Sequence, residues 1–190
     1  MPNQNSSLDG KRIIVGLSGG IASYKVADVV STLVQSGVIV DVLMTEAATR
    51  FITPLSLESL SGRPVFDNQW KHVDGHSPQH IKIAKRADLM LIAPCTMDML
   101  AKVTHGFTDD PVSLVCSAID RTNTPVLLAP SMNVTMLAQP STQRNIKLAS
   151  DDGFTLLAPE EGWQACRAEG SGRLPDSQTL INAMEKALLT

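Results

Sequence analysis

The sequence predicts a three-layer α/β sandwich, with helices on both faces of a central parallel sheet. Short continuous apolar runs, typical of strands buried on both faces, occur at 12–17, 38–44, 89–93 and 126–129. Segments with apolar residues at helical spacing alternate with these runs, which indicates repeated strand-helix units. With 190 residues and 43% hydrophobic content, the chain is expected to form one domain over 11–190 after a polar tail at 1–10.

The first strand-helix unit contains a glycine-rich loop. The strand at 12–17 ends in Ser18-Gly19-Gly20, and a helix is expected over 21–35, with Gly37 as its C-terminal glycine. Free N–H groups at a helix N-terminus favour an anion, so this loop resembles a phosphate loop. Its spacing is neither GxGxxG nor the Walker pattern GxxxxGK, which disfavours an ordinary dinucleotide or Walker site. A tight turn that binds nothing is the alternative.

The other helices are predicted from apolar periodicity and from flanking residues. They are expected at 54–60, 97–105, 112–119, 143–149 and 177–189. Asp109 and Asp110 precede a proline and are interpreted as helix caps rather than as paired carboxylates. Asp176 or Ser177 is expected to cap the last helix. The segment 66–79 is interpreted as an irregular connection.

Charge and cysteine content narrow the classes of function. The net charge is −3 with scattered Lys and Arg, which disfavours a nucleic-acid partner or a membrane-binding patch. No apolar run approaches the roughly 20 residues that span a bilayer, and the first ten residues lack the apolar core of a signal peptide. The three cysteines include no CxxC pair, which disfavours a disulfide framework or a zinc ribbon. A cytoplasmic location is therefore expected.

Polar side chains follow three of the predicted strands. Thr45 follows the second strand, Thr96 follows the third, and Asn133 follows the run at 126–129. The carboxyl ends of parallel strands open into one ligand crevice. Together with the glycine-rich loop, the two threonines predict a site for a phosphorylated planar cofactor.

A thiol lies in a glycine-punctuated segment near the C-terminus. Cys166 belongs to the run 165–173, whose glycines suit a flexible substrate flap near 160–175 better than a packed element. Neighbouring arginines would favour its thiolate, although a passive surface thiol is the alternative. Cys95 and Cys116 lie in apolar surroundings and are expected to be buried.

Three histidines, His72, His76 and His80, are spaced by four residues. On a helix this spacing could hold a metal, but Gly75 and a proline interrupt the segment, so no metal site is expected. His80 is the favoured functional histidine, because it opens an amphipathic stretch at 81–84 that leads into a strand.

In combination these residues resemble the flavin-dependent cysteine decarboxylases, in particular the phosphopantothenoylcysteine decarboxylase branch. The resemblance runs from about Arg12 to the end of the chain. Its motifs are Ser18-Gly19-Gly20-Ile21-Ala22, Thr53-Pro54-Leu55-Ser56-Leu57, His80-Ile81 with Ala87-Asp88, Ala93-Pro94-Cys95-Thr96-Met97-Asp98, Gly106 with Asp109, Pro130-x-Met132-Asn133-x-x-Met136, and Cys166 with Gly170, Gly172 and Arg173.

The resemblance implies a Rossmann-like (flavodoxin-like) fold, FMN as cofactor, and decarboxylation of 4'-phosphopantothenoylcysteine to 4'-phosphopantetheine in coenzyme A biosynthesis. It implies that His80 assists thiol oxidation and that Cys166 donates a proton in the later reduction. Asn133, Met136 and Lys85 would bind the substrate. The cofactor residues that it implies are Gly19, Gly20, Ile21, Thr45, Thr96, Met97, Asp98, Met99 and Ser131. A homo-oligomer, either a trimer or a dodecamer of trimers, is expected.

Four positions depart from the family pattern: Arg167, Ala168, Leu174 and Leu137. They leave the implied flavin site intact and bear on the substrate. Oxidative decarboxylation of a peptide C-terminal cysteine is the nearest alternative. A flavin prenyltransferase and a non-catalytic regulatory subunit are weaker alternatives, because neither needs His80, Asn133 and Cys166 together.

Overall fold

The computed structural model describes residues 7–71, 78–165, 167 and 169–189. The strands of its main sheet are β1 Arg12–Leu17, β2 Ile39–Met44, β3 Leu89–Cys95, β4 Val126–Pro130 and β5 Thr155–Leu156. They lie in the order β2-β1-β3-β4-β5, and every neighbouring pair is parallel. The predicted α/β class with a central parallel sheet is confirmed.

Eight α-helices are seen in the described residues, besides one short 3-10 helix at Ala48–Arg50. They are α1 Ser23–Gln35, α2 Pro54–Ser61, α3 Gln79–Lys85, α4 Met97–His105, α5 Pro111–Ser117, α6 Val134–Ala138, α7 Pro140–Asp151 and α8 Ser177–Leu188. None of the helices in these ranges combines the length and the apolar character needed to cross a membrane.

The two faces of the sheet bury separate hydrophobic cores. Alternate residues of a strand point to opposite faces, so Ile13 and Val15 pack with α1, α2 and α8, whereas Ile14 packs with α3, α4, α5 and α7. All three side chains are fully buried. The helices therefore form the two outer layers of the predicted sandwich.

Helix ends agree with the predicted capping residues. Asp110 Oδ1 accepts the N–H groups of Val112 and Ser113 at 2.9 and 3.0 Å, which caps α5. Asp176 Oδ1 accepts the N–H of Thr179 at 2.7 Å and caps α8. These short polar side chains satisfy donors that have no partner within their own helix.

The segment around 160–175 has more regular structure than the sequence predicts. Two further strands, β6 Glu160–Trp163 and β7 Glu169–Arg173, pair in antiparallel fashion and form a hairpin. The glycines that suggested a flap take positive φ angles within this hairpin, at 138° for Gly162 and 135° for Gly172. Cys166 falls between the two strands in the sequence, and it is outside the described residues. His72 and His76 are also outside the described residues.

Candidate active site

A cavity of about 760 Å³ opens at the carboxyl ends of β1, β3 and β4, where α1, α4 and α6 begin. The β6-β7 hairpin supplies its remaining wall. Its size falls in the range of small-molecule and cofactor sites, and its position is where parallel sheets bind ligands. Its described lining residues are Gly19, Gly20, Ile21, Ala22, Tyr24, Lys25, Thr96, Met97, Asp98, Ser131, Met132, Asn133, Met136, Trp163, Gln164, Ala165, Gly172, Arg173 and Leu174.

The loop between β1 and α1 offers the cavity a row of backbone donors. Within the described part of the chain, the N–H groups of Gly19, Gly20 and Ile21 have no protein acceptor. They precede the 13-residue helix α1, whose N-terminus has no side-chain cap. A side chain at Gly19 would overlap Ala47, so only glycine allows this close approach of the loop. The loop therefore fits a phosphate at a helix N-terminus.

Ser18 joins this loop to the loop between β3 and α4. Its buried hydroxyl donates to the carbonyl of Pro94 at 2.6 Å and accepts the N–H of Thr96 at 3.0 Å. Ser23 in turn donates its hydroxyl proton to the carbonyl of Ser18 at 3.1 Å. Sequence reasoning did not select Ser18 as a site residue, and its position between a strand and the two glycines was the available signal.

Thr96 caps α4 at the cavity wall. Its Oγ1 accepts the N–H of Met99 at 3.3 Å, while Met97 and Asp98 line the cavity. Met99 itself is fully buried in the core behind the site. The cap therefore fixes the first turn of α4 against the ligand space.

An ion-pair cluster supports α4 from behind. The Lys102 Nζ lies 3.1 Å from both Asp109 and Asp110 and 3.6 Å from Asp98. Burial alone would lower the pKa of Lys102, but the hydrogen bonds to Asp110 and Asp109 outweigh it and the pKa is raised. Lys102 is therefore a fixed cation that links α4 to the start of α5.

The Asn133 loop and the hairpin are joined by hydrogen bonds. The Asn133 Oδ1 accepts the N–H of Thr135 at 2.8 Å and so caps α6. The buried Gln164 donates from Nε2 to the Ser171 carbonyl at 3.0 Å and accepts the Val134 N–H at 3.3 Å. One side chain thereby connects β7 to the residue that follows Asn133. Sequence reasoning missed Gln164, because its partners lie far apart along the chain.

A backbone contact strengthens the same junction. The Met132 N–H donates to the Gly172 carbonyl at 3.0 Å. A side chain at Gly172 would overlap the Met132 carbonyl, so this approach of β7 requires glycine. The hairpin is thus placed directly over the loop that contains Asn133.

The structure brings together most of the residues selected from the sequence. Those in the cavity wall are Gly19, Gly20, Ile21, Thr96, Met97, Asp98, Ser131, Asn133 and Met136. Thr45 is buried at the end of β2, where its hydroxyl accepts the N–H of Ala48 at 3.1 Å. His80 and Lys85 lie on α3, which packs against α5 and is not part of the described wall within one chain.

Burial keeps two of the three thiols protonated and therefore unreactive. Desolvation raises the pKa of Cys95 far above its usual range, and it raises the pKa of Cys116 to about 12. Both side chains are buried as predicted. Cys166 lies outside the described residues, but its neighbour Ala165 lines the cavity.

A family model described as Flavoprotein matches residues 1–189. The chain belongs to the Flavoprotein family. It is 42% identical over 178 residues to the "probable phosphopantothenoylcysteine decarboxylase" of Streptococcus mutans, covering 94% of this chain and 99% of that protein. It is also 42% identical over 176 residues to the coenzyme A biosynthesis bifunctional protein CoaBC of Escherichia coli K12. That match covers 93% of this chain and only 43% of the bifunctional protein.

Solved structures show the same architecture. The FMN-dependent cysteine decarboxylase SpaF is 26% identical and superposes with a TM-score of 0.82, over 96% of this chain and 99% of SpaF. HAL3 from Cryptococcus neoformans is 28% identical with a TM-score of 0.76, over 97% and 98% of the two chains. A phosphopantothenoylcysteine decarboxylase mutant in complex with pantothenoylaminoethenethiol is 24% identical, and its TM-score of 0.83 shows that the fold is shared.

Proposed function

We propose that this protein uses FMN to decarboxylate 4'-phosphopantothenoylcysteine to 4'-phosphopantetheine, a step of coenzyme A biosynthesis in the cytoplasm. The observation that carries the proposal is the shared cavity: the anion-binding loop before α1 and the Asn133 loop face one space, closed by the hairpin that flanks Cys166. The Streptococcus mutans relative, which is named for this reaction, matches over nearly its whole length.

The residues of the cavity fit FMN. The free N–H groups of Gly19, Gly20 and Ile21 suit its phosphate, and the side chains of Met97 and Leu174 give apolar walls for a planar ring. Thr96 and Ser131 place polar groups at the same edge of the sheet. FMN, when bound, supplies an acceptor for hydride from the sulfur-bearing carbon of the substrate and returns that hydride at the end of the reaction.

The substrate chemistry explains the need for oxidation before CO2 leaves. Loss of CO2 from an ordinary amino-acid carboxylate would leave a carbanion with no neighbouring group to accept its electron pair. When the neighbouring thiol is at the thioaldehyde level, the electrons of the broken C–C bond pass to sulfur and give an enethiolate. In the proposal, Asn133 holds the substrate carboxylate in this geometry and Met136, which is 43% exposed at the cavity, shapes the pocket around it.

His80, Lys85 and Cys166 complete the proposed set. His80 would accept or orient the thiol proton during oxidation, and Lys85 would bind the substrate. Cys166 would supply the proton that accompanies hydride return to the enethiol.

We propose a homotrimer in which α3 of one subunit approaches the cavity of another, because α3 does not line the cavity of its own chain. Exposed Ile21 and Tyr24 beside the cavity favour such a contact.

A second candidate is oxidative decarboxylation of a peptide C-terminal cysteine. SpaF is described as an FMN-dependent cysteine decarboxylase, a name that covers this reaction as well, and the structural similarity to SpaF keeps it as a candidate. That reaction stops at the enethiol and needs no proton donor for the reduction. The segment around Cys166 supports the coenzyme A reaction instead.

Two variants test the proposal. Cys166→Ser is expected to retain FMN and to release an enethiol that is lighter than phosphopantetheine by two hydrogens, because only the reduction lacks its proton. His80→Asn is expected to retain FMN and to form neither product. Mass spectrometry of the reaction mixtures measures both outcomes. Normal phosphopantetheine formation by Cys166→Ser at the full rate would contradict the assigned role.

A further inference from the structure

A positively charged side chain of the hairpin faces the cavity without a use in the proposed reaction. Arg173 is the last residue of β7, is half-buried, and lines the cavity. A Cβ at Gly162 on the neighbouring strand would lie 2.5 Å from Arg173 Nη1 and 3.4 Å from its Cδ. The guanidinium therefore lies over the bare backbone of Gly162.

The side chain of Arg173 has no acidic partner in the described part of the chain, and it makes no hydrogen bond there. Its cross-strand neighbour Glu160 instead accepts the N–H of Asp176 at 3.1 Å. Asp98, the carboxylate of the cavity wall, lies 3.6 Å from Lys102. A half-buried cation without a counter-charge is costly unless a ligand supplies one.

The other cation of the wall lies on the cofactor side of the cavity. Lys25 is in the first turn of α1, directly after the free N–H groups of Gly19, Gly20 and Ile21. Arg173 is therefore the cation of the described wall that lies beside the Asn133 loop. Guanidinium groups bind phosphate and carboxylate through paired hydrogen bonds.

We propose that Arg173 binds the terminal phosphate of the substrate and so selects a phosphorylated small molecule over an unphosphorylated one. This inference rests on the proposed function. The substrate has a second anion, the carboxylate, but that group loses its charge as CO2 forms. An arginine bound there would stabilise the ground state more than the transition state and would slow the reaction. The neutral amide of Asn133 therefore suits the carboxylate. The guanidinium of Arg173 suits the phosphate, whose charge does not change during the reaction.

The phosphate of FMN is a less suitable partner for Arg173. The three free N–H groups of Gly19, Gly20 and Ile21 already form an anion site before α1. Arg173 belongs to the hairpin, next to Gly172, which contacts the Met132 carbonyl and N–H. This places it beside the loop of Asn133, on the substrate side of the cavity.

The test compares Arg173→Gln with wild type, using full-length protein loaded with FMN. Each is assayed with phosphopantothenoylcysteine and with pantothenoylcysteine, which lacks the phosphate. We expect KM for the phosphorylated substrate to rise about 10- to 100-fold in the variant, as for loss of a charged hydrogen-bonded pair. KM for the unphosphorylated substrate and the dissociation constant of FMN should change less than about twofold. Arg144→Gln, at an exposed site on α7 outside the cavity wall, is the matched control and should match wild type.

Three results would overturn the inference. An equal loss with both substrates would place Arg173 at the carboxylate or in the folding of the hairpin. Weakened FMN binding would place it at the cofactor phosphate. An unchanged KM for both substrates would remove it from recognition altogether. If wild-type protein converts neither substrate, the proposed function is wrong and the inference fails with it, a result that is separate from any effect of the variant.

Discussion

Replacing Gln164 by methionine should release the hairpin from the Asn133 loop while leaving the fold intact. Methionine keeps the length of the side chain but removes the bonds to the Ser171 carbonyl at 3.0 Å and the Val134 N–H at 3.3 Å. At a net value of about 1 kcal/mol for each bond, docking of the hairpin weakens by about 2 kcal/mol. That corresponds to a roughly 30-fold increase in the undocked population.

Hydrogen exchange followed by mass spectrometry measures this increase in the undocked population of the hairpin. Peptides covering β6 and β7 should exchange faster in Gln164→Met by about the same factor, while peptides from β1 and β3 keep wild-type rates. kcat/KM should fall and FMN should stay bound, because the loop at Gly19 is separate. Gln178→Met is the control, since Gln178 is exposed on α8 and its side chain bonds only Asn182, one turn further along the helix, in the described structure. Unchanged exchange of the hairpin would refute the view that Gln164 holds it in place.

Other parts of the site give predictions of their own. Ser18→Ala removes the bonds to the β3-α4 loop and should weaken FMN binding about 10-fold in a fluorescence titration; wild-type affinity would contradict the role of this hydroxyl. Gly19→Ala should abolish FMN binding, and adding Ala47→Gly should restore part of it by removing the overlapping methyl group; no recovery would count against this steric reason. At pH 8 at most one of the three thiols should react rapidly with a disulfide reagent. The reason is that a pKa of about 12 leaves roughly one Cys116 thiol in 10,000 ionised, and Cys95 ionises less readily still. Rapid reaction of two thiols in folded protein would show that the core is open.

Local signals in the sequence predicted several strands and helices together with their bounds. β1 and α4 have the bounds expected from the sequence, because a continuous apolar run and a threonine cap with a following glycine are visible within a short window. α1 begins at Ser23 rather than at residue 21, since the residues before it form the turn that exposes the anion-binding N–H groups.

The hairpin and α6 depend on contacts that a short window does not contain. β6 and β7 are rich in glycine and charge, and they gain their structure from cross-strand pairing and from the contact of Gly172 with Met132. α6 has five residues and depends on the Asn133 cap and on Gln164, which lies 30 residues further along the chain. A polar side chain whose partners are so distant has no local signal in the sequence.

The candidate site likewise contains residues that a local sequence signal predicts and residues that depend on distant contacts. Its glycine loop, Thr96 and Asn133 were selected because each follows a strand, and the structure places all of them in one cavity. His80 was selected because it opens an amphipathic stretch, and by resemblance, and it lies on a helix outside that cavity wall. Its proposed role therefore depends on an assembly of several chains, which the sequence of one chain does not describe.

The product formed from 4'-phosphopantothenoylcysteine decides between the two proposed reactions. Purified wild-type protein loaded with FMN is incubated anaerobically with this substrate, and separately with a peptide that ends in cysteine, and the product masses are measured by mass spectrometry. We expect the phosphorylated substrate to lose CO2 alone, giving phosphopantetheine over many turnovers without added oxidant. Loss of CO2 together with two hydrogens, seen with the peptide and not with the phosphorylated substrate, would contradict it and would assign the protein to the peptide reaction.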